Sequence, residues 1–260
     1  MKKLPKCILT GATGGIGQAI AKQLSEKGYS LILVGRNIEK LVMLGSQIPG
    51  EHEIVIGDIT NEADRSALLD NSLNDDEASV LINNAGVSNF STFNKVSDRD
   101  ISDLLTTNLI STIQLTHEFL KKRGNKKSTV INIGSALGSI GFPGYSLYCA
   151  SKFGLKGFSE ALSREMANTD VRVCYLAPRA TDTSLNTSNV IEMNKALGSK
   201  VDPPEMVANE LITLLEGNKS RRFIGWPEKF FARLNGAFPE LVDLSMKKTL
   251  PTILKFTEGK

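Results

Sequence analysis

The sequence predicts an α/β protein: a doubly wound fold with about seven parallel strands, helices on both faces of the sheet, and a helical C-terminal tail. Three observations carry this. Short, β-rich apolar runs alternate with longer stretches of helical character along most of the chain. The runs are apolar throughout rather than at every second residue, as suits strands covered on both faces. No linker, repeat or low-complexity stretch divides the 260 residues, so the alternation reads as one sheet built strand by strand.

In chain order, strand 7–10 ends in Thr10-Gly11-Ala12-Thr13-Gly14-Gly15-Ile16-Gly17, and helix 16–27 follows. Strand 31–34 ends in Gly35-Arg36-Asn37 before helix 38–47. Strand 54–56 closes at Gly57-Asp58-Ile59-Thr60, ahead of helix 62–69. Strand 80–82 runs into Asn83-Asn84-Ala85-Gly86, and a long helix is expected at 98–123. Strand 130–133 leads to Gly134-Ser135, and helix 148–166 opens on Tyr148. Strand 171–176 is followed by Pro178-Arg179-Ala180-Thr181-Asp182-Thr183 and a polar stretch to Lys200 that reads as a loop; helix 204–216 and strand 222–224 complete the pattern. Residues 1–225 thus form the sheet unit. Residues 226–260 form a helical extension packed on it, within one domain overall.

That extension holds Pro227, Pro239 and Pro251, each able to start a short helix. Its Phe230, Phe231, Leu234, Phe238 and Leu241 recur at helical spacing beside Lys229, Arg233, Lys247 and Lys248. Two readings stand: packing on the core or on a twin subunit, or a lipid-surface or lipophilic-substrate element.

Composition bounds the function. Apolar residues make up 41% and charged ones 23%, ordinary values for a protein with a real core. A formal charge of +3 gives no reason to expect a nucleic-acid partner. His52 and His117 have no ligand-spaced companions, so no metal is expected. Cys7, Cys149 and Cys174 lack paired spacing and read as free thiols in a reducing compartment. The apolar segment before Thr10 is too short for a signal peptide or a membrane span, so a cytoplasmic protein is expected.

Glycines after a first strand let the backbone turn tightly and approach a pyrophosphate seated on the N–H groups of the next helix. The spacing here, TGxxxGxG, resembles the short-chain dehydrogenase/reductase family, with a Rossmann fold. The resemblance runs from about residue 5 to residue 225 and rests on several ordered motifs. It implies a nicotinamide cofactor held by Gly11, Thr13, Gly14, Gly15, Ile16, Gly17, Asp58, Ile59, Asn84, Ala85, Gly86, Tyr148, Lys152, Pro178, Thr181 and Thr183. An acid at the end of the second strand would bond the ribose 2′-OH of NAD(H). Arg36 stands there instead, its planar cation suited to phosphate, so NADP(H) is expected over NAD(H).

Tyr148-Cys149-Ala150-Ser151-Lys152 puts Tyr148 and Lys152 one helical turn apart on one face. With Ser135 thirteen positions earlier and Asn108 on the preceding helix, the set matches the family's catalytic Asn, Ser, Tyr and Lys. An unassisted phenol, with a pKa of about 10, is a poor base at neutral pH. A neighbouring ammonium and a positive nicotinamide are expected to favour phenolate and lower that value. Tyr148 then exchanges the proton, Ser135 holds the carbonyl oxygen, Lys152 binds the nicotinamide ribose, and Asn108 supports a water that relays protons to Lys152.

Arg179 departs from the family, which usually has glycine there: if that backbone needs φ > 0 the arginine is strained; otherwise its side chain is expected to reach cofactor phosphate, substrate or Asp182. The Ala-Pro-Arg-Ala-Thr run and Gly225-Trp226-Pro227-Glu228 resemble a bacterial subgroup. The substrate mouth is expected along 137–145 and 181–200, where Phe90, Ile140, Phe142 and Leu147 suggest an apolar ligand. The expected function is an NADP(H)-dependent ketone or aldehyde reductase for a lipophilic small molecule. A 3-oxoacyl thioester reductase and a non-catalytic nucleotide sensor are the alternatives. The resemblance further implies a homodimer or homotetramer joined through Leu105, Leu109, Leu155, Phe158 and Leu162; a weak membrane contact through the tail is also expected.

Overall fold

The computed structural model describes residues 4–73 and 78–257. Seven parallel strands form one sheet in the order β3-β2-β1-β4-β5-β6-β7. They are β1 (Lys6–Thr10), β2 (Leu31–Gly35), β3 (His52–Ile56), β4 (Ala78–Asn83), β5 (Ser128–Ile133), β6 (Val171–Ala177) and β7 (Arg221–Phe223). All seven expected strands form, with ends shifted by at most two residues. The order reverses beside β1, between β2 and β4, which opens a crevice at the carboxyl ends of the strands.

The continuous apolar strands are explained by two cores. Successive side chains point to opposite faces. Cys7, Leu9, Leu31, Leu33, Val80 and Ile82 join one core, while Ile8, Ile32, Val34 and Leu81 join the other. The first is covered by α1 (Gly15–Glu26), α2 (Ile38–Gln47) and α8 (Pro204–Glu216), through residues such as Ile20, Leu24, Leu41, Val207 and Leu211. The second is covered by α3 (Glu62–Leu73) and α5 (Ser111–Arg123), through Leu68, Leu69, Leu115 and Phe119.

Local signals set several boundaries. Asn37 caps α2 by accepting the Lys40 N–H at 2.7 Å. Ser97 and Asp100 form a reciprocal capping box on α4 (Asp98–Leu105). Lys121, Lys122 and Arg123 sit in the last turn of α5, where cations oppose the helix dipole.

Three expectations are corrected. The helix at 98–123 is not continuous, because a π-turn at Thr106–Ile110 separates α4 from α5. The stretch 181–200 is not all loop: Ser188–Ala196 forms α7, anchored by buried Val190 and Met193 at i and i+3. Pro251 does not start a helix; it lies on the exposed side within α10 (Pro239–Thr257), whereas Pro227 and Pro239 do mark starts, of α9 (Glu228–Ala237) and α10.

The tail packs on its own chain. Ile253 is fully buried with Tyr145, Cys149, Val190 and Met193 at the end of α6 (Ser146–Glu165) and against α7. Asn235 donates to the Ser139 carbonyl at 2.9 Å, and Asn189 of α7 donates to the Phe256 carbonyl at 3.2 Å. The opposite side leaves Trp226, Phe230, Phe238, Leu241 and Leu244 exposed. No described helix is long and apolar enough to cross a membrane.

Candidate active site

Every motif loop lies at the carboxyl edge of the sheet. Thr10, at the end of β1, is the knot that joins it to β4: its hydroxyl accepts the Asn84 and Ala85 N–H groups and donates to the Ile82 carbonyl. Asn84 answers with its side-chain amide, donating to the Thr10 and Gly11 carbonyls at 3.1 and 3.0 Å. Below it, Asn83 donates across to its register partner Asn132 at 2.8 Å and to Thr116, and Asn132 donates to Ser159 of α6. These buried amides fix β4, β5 and the two helices behind the crevice.

The glycine-rich turn is a cradle. Gly11 has φ +62°, and a Cβ there would stand 2.7 Å from the Ala85 Cα, so only glycine fits. The N-cap of α1 is Gly14, which has no side chain to occupy the N–H groups of the first turn. A cavity of about 300 Å³ opens over this helix start. It is lined by Gly11, Thr13, Gly14, Gly15, Ile16 and Gly17, by Arg36, Asp58 and Ile59 at its far end, and by Asn84, Ala85, Gly86 and Thr183. Uncapped N–H groups facing an open crevice suit a pyrophosphate, so the residues present fit a dinucleotide. Thr107 and Leu185 also line it, without a motif to announce them.

At the far end, Asp58 and Arg36 form an ion pair at 3.7 Å, with the arginine side chain 72% exposed. Burial acts upward on the Asp58 carboxyl. The Thr60 N–H and hydroxyl, together with the Arg36 guanidinium, outweigh it and hold the group below its usual value. Asp64 and Arg65 of α3 support this loop: Asp64 accepts the Asp58 N–H at 2.8 Å, and buried Arg65 donates to the Ile59 carbonyl at 2.9 Å. No sequence motif pointed to either.

A second cavity, of about 530 Å³, meets the first along Ile16, Asn84, Gly86 and Thr183. Ser135, Tyr148, Lys152, Pro178 and Thr181 line it. Ser135, two residues past the end of β5, caps a short 3₁₀ turn, its hydroxyl accepting the Leu137 N–H at 3.1 Å. Tyr175 of β6 packs beneath this loop against Gly134 and Gly138, a supporting residue that the sequence did not reveal. Tyr148 and Lys152 project from the first turns of α6, with the ammonium 5.6 Å from the phenol ring centre and donating to the Ile133 carbonyl at 3.0 Å.

Burial shifts both groups. It pushes the Tyr148 phenol up to about 12, with a hydrogen bond to Ser135 acting the other way, and it lowers the Lys152 ammonium to about 8. In the protein itself desolvation dominates both residues; the expected lowering of the phenol belongs to the state with a positive nicotinamide beside it. The Tyr148 phenol therefore holds its proton at neutral pH.

Asn108 sits in the π-turn and is 1% exposed. Its side chain exchanges two 2.8 Å hydrogen bonds with the Val87 main chain and donates to Ser151 at 3.2 Å. It lines neither cavity; its bonds tie the segment after Gly86 to α6. Single π-turns inside α-helices occur often at functional sites.

The walls of the second cavity are apolar: Leu137, Ile140, Phe142 and Tyr145 before α6, Val190, Met193 and Leu197 from α7 and its end, and Phe231, Val242 and Met246 from the tail. Of the four apolar residues expected at the mouth, Ile140 and Phe142 line it. Phe90 and Leu147 do not; Phe90 instead anchors the loop by packing on Tyr145, with ring centres 4.8 Å apart. Arg179 turns to Asp202, not to Asp182 or to the cofactor cavity, and it lies along the edge of the second cavity. Among the described residues, no group of three or more His, Cys, Asp or Glu side chains is placed to hold a metal ion.

The family model described as short chain dehydrogenase matches residues 6–194. Carbonyl reductase family member 4 of Xenopus laevis is 34% identical over 215 residues, 81% of this chain and 90% of its own length. The 3-oxoacyl-[acyl-carrier-protein] reductase FabG of Rickettsia prowazekii is 32% identical over 219 residues, 82% of this chain and 90% of its own. The crystal structure of a short-chain dehydrogenase from Streptomyces avermitilis superposes with a TM-score of 0.81 at 25% identity, covering 95% of this chain and 98% of that one.

Proposed function

This chain belongs to the short chain dehydrogenase family and is an oxidoreductase that uses a nicotinamide cofactor on a carbonyl or alcohol; from that premise we propose that it reduces lipophilic ketones or aldehydes with NADP(H). The observation that carries this reading is the convergence of Ser135, Tyr148 and Lys152 where a glycine-lined cavity meets an apolar one.

The nicotinamide, when bound, supplies the hydride for reduction and accepts it for oxidation. Tyr148 hands its phenolic proton to the carbonyl oxygen as that oxygen gains charge, so that C=O becomes CH–OH. Its raised pKa keeps the proton in place at neutral pH until then. The Ser135 hydroxyl donates to the same oxygen, which favours the transition state more than the neutral substrate. Lys152 puts positive charge beside the phenol and favours the phenolate left behind; it also holds the nicotinamide ribose. Asn108 keeps Gly86 and α6 at their spacing, and its segment supports proton return to Lys152.

Arg36 favours the 2′-phosphate of NADP(H). Its partner Asp58 is 3.7 Å away and its side chain is mostly in solvent, so the guanidinium can turn to a phosphate at low cost. The apolar walls favour a lipophilic substrate. A 3-oxoacyl thioester is the second reading, supported by the likeness to the Rickettsia reductase.

Assembly and location follow the same reading. We place the protein in the cytoplasm, in keeping with three buried free thiols. A homodimer through α4, α5 and α6 is supported by exposed Ile110 and Phe153. Leu155, expected at that face, is 2% exposed and belongs to the monomer core, so it is not offered again. The exposed outer side of the tail leaves room for weak contact with a membrane surface or for a second subunit contact, giving a tetramer.

A panel of ketones, aldehydes and a 3-oxoacyl thioester, followed by loss of reduced-nicotinamide absorbance with NADPH and with NADH, tests the proposal. Turnover of apolar carbonyls, faster with NADPH, is expected. A protein that binds NADPH but turns over none of them overturns it.

A further inference from the structure

Arg179 follows β6 and joins parts of the chain far apart in sequence. Its Nε and Nη2 donate to the two carboxylate oxygens of Asp202 at 2.8 and 2.6 Å, a two-pronged pair. Its Nη1 donates to the Trp226 carbonyl at 2.8 Å and to Glu228 at 3.2 Å. These four bonds engage all three guanidinium nitrogens, which leaves little for a substrate carboxylate. The side chains of Arg179 and Asp202 are only 10% and 4% exposed, so the pair is held largely away from water.

Both ends of this contact are anchored. Asp202 donates its N–H to the Ala180 carbonyl and accepts the Asp182 N–H, each at 2.9 Å, so its carboxylate is tied to the loop that carries Thr181 and Thr183. Glu228 is the first residue of α9, and Phe231, one turn on, faces the substrate cavity. Between them lies Gly225, with φ +87°. The place a Cβ would take is filled by Arg179 Cδ, Nε and Cζ, at 2.6 to 2.9 Å. The arginine stem lies across this glycine, so the turn into α9 is shaped around it.

We propose that Arg179 is a positioning and specificity-determining residue, a clamp that holds the α9–α10 roof against the 180–183 loop and so sets the closure of the apolar cavity over long substrates. This rests on the reading that the cavity receives a carbonyl substrate. Small carbonyl compounds need only the floor at Ser135 and Tyr148, whereas long ones need the roof.

Arg179→Lys keeps the charge but replaces the planar fork with a point cation that cannot hold Asp202, Trp226 and Glu228 together. The test measures kcat and KM for 2-ketones of increasing chain length, with hydrogen exchange of the α9 amides. The KM of the longest ketone should rise at least tenfold and that of the shortest less than threefold, with kcat and NADPH affinity little changed. The α9 amides should exchange at least tenfold faster while those of β1 stay as they were. An equal loss along the whole series, or unmoved KM and exchange, overturns the clamp. Should Arg179→Lys not fold, Glu228→Ala removes the side-chain arm to α9 and leaves the Asp202 pair intact. It should shift the same two readouts in the same direction, and a null result in both sinks the idea. If the unmutated protein reduces no ketone, the substrate reading fails, and the exchange measurement still decides the clamp.

Discussion

The two cavities that meet at Tyr148 are made of different material. The cofactor cavity is walled mainly by strand ends, glycines and main-chain groups: Gly11, Gly14, Gly15, Gly35, Gly57 and Gly86 all line it. Its shape follows from the sheet and from knots such as Thr10 with Asn84. The second cavity has its floor at the ends of β5 and β6 and the start of α6, but much of its wall is side chains from α7, α9 and α10, elements outside the sheet. At Gly11 and Gly17 an added Cβ would stand within 3 Å of main chain, and at Gly15 within 3 Å of Thr183, so the cofactor wall tolerates little change. A side-chain wall can be re-lined one residue at a time, so substrate choice can drift while the cofactor end and the chemistry stay put.

If that division holds, changing the chemical group at the seam should disturb neither cavity. Tyr148→Phe should lower kcat by at least about a hundredfold, the scale of one general acid, while titration shows cofactor affinity nearly unchanged. Retained turnover would sink the mechanism; lost cofactor affinity would show that the seam belongs to the cofactor wall.

Lys152 tests the seam through stability. Its ammonium is lowered by burial from 10.5 to about 8. Between these values the unfolded chain still holds the proton and the folded protein has released it, so its contribution to stability rises with pH across pH 8 to 10.5. The full rise is on the order of 3 kcal/mol. Tyr148, pushed up to about 12, opposes this only above pH 10. Denaturant unfolding at pH 7.5 and 9.5 should therefore show a steeper rise for the unmutated protein than for Lys152→Met. Equal slopes would mean that the ammonium is better solvated than its burial implies.

The smallest effect probes a charged side chain at the far end of the cofactor cavity. Arg36→Ala should narrow the preference for NADPH over NADH by roughly 1.5–3 kcal/mol, the range for a charge-assisted hydrogen bond, with KM for the carbonyl substrate unmoved. Calorimetric titration with both cofactors measures it. Equal affinities in the unmutated protein would leave Arg36 as a partner of Asp58 only.

The same division explains what could be read from the chain. Strands buried on both faces must be apolar throughout, and the glycine cradle needs its glycines at set spacings, so the sheet and the cofactor wall were legible. Helix α7 was not: it is short, holds two asparagines, and only Val190 and Met193 mark its buried side. The π-turn around Asn108 leaves no compositional trace. Arg179 was visible as an oddity, but its partners lie 23 and 49 residues away, and an ion pair at that separation has no spacing signal. Tyr175 looked like any other strand aromatic, because its contact with Gly134 and Gly138 exists only once β5 and β6 pair.

The apolar cluster of Tyr145, Cys149, Val190 and Met193 is closed by Ile253, which follows all of them in the chain. A nascent polypeptide therefore completes its sheet, and with it the cofactor cradle, while this cluster is still uncovered. Any product that stops short of α10 carries an intact nucleotide-binding half beside a greasy, open hollow, the kind of surface that chaperones hold and proteases clear.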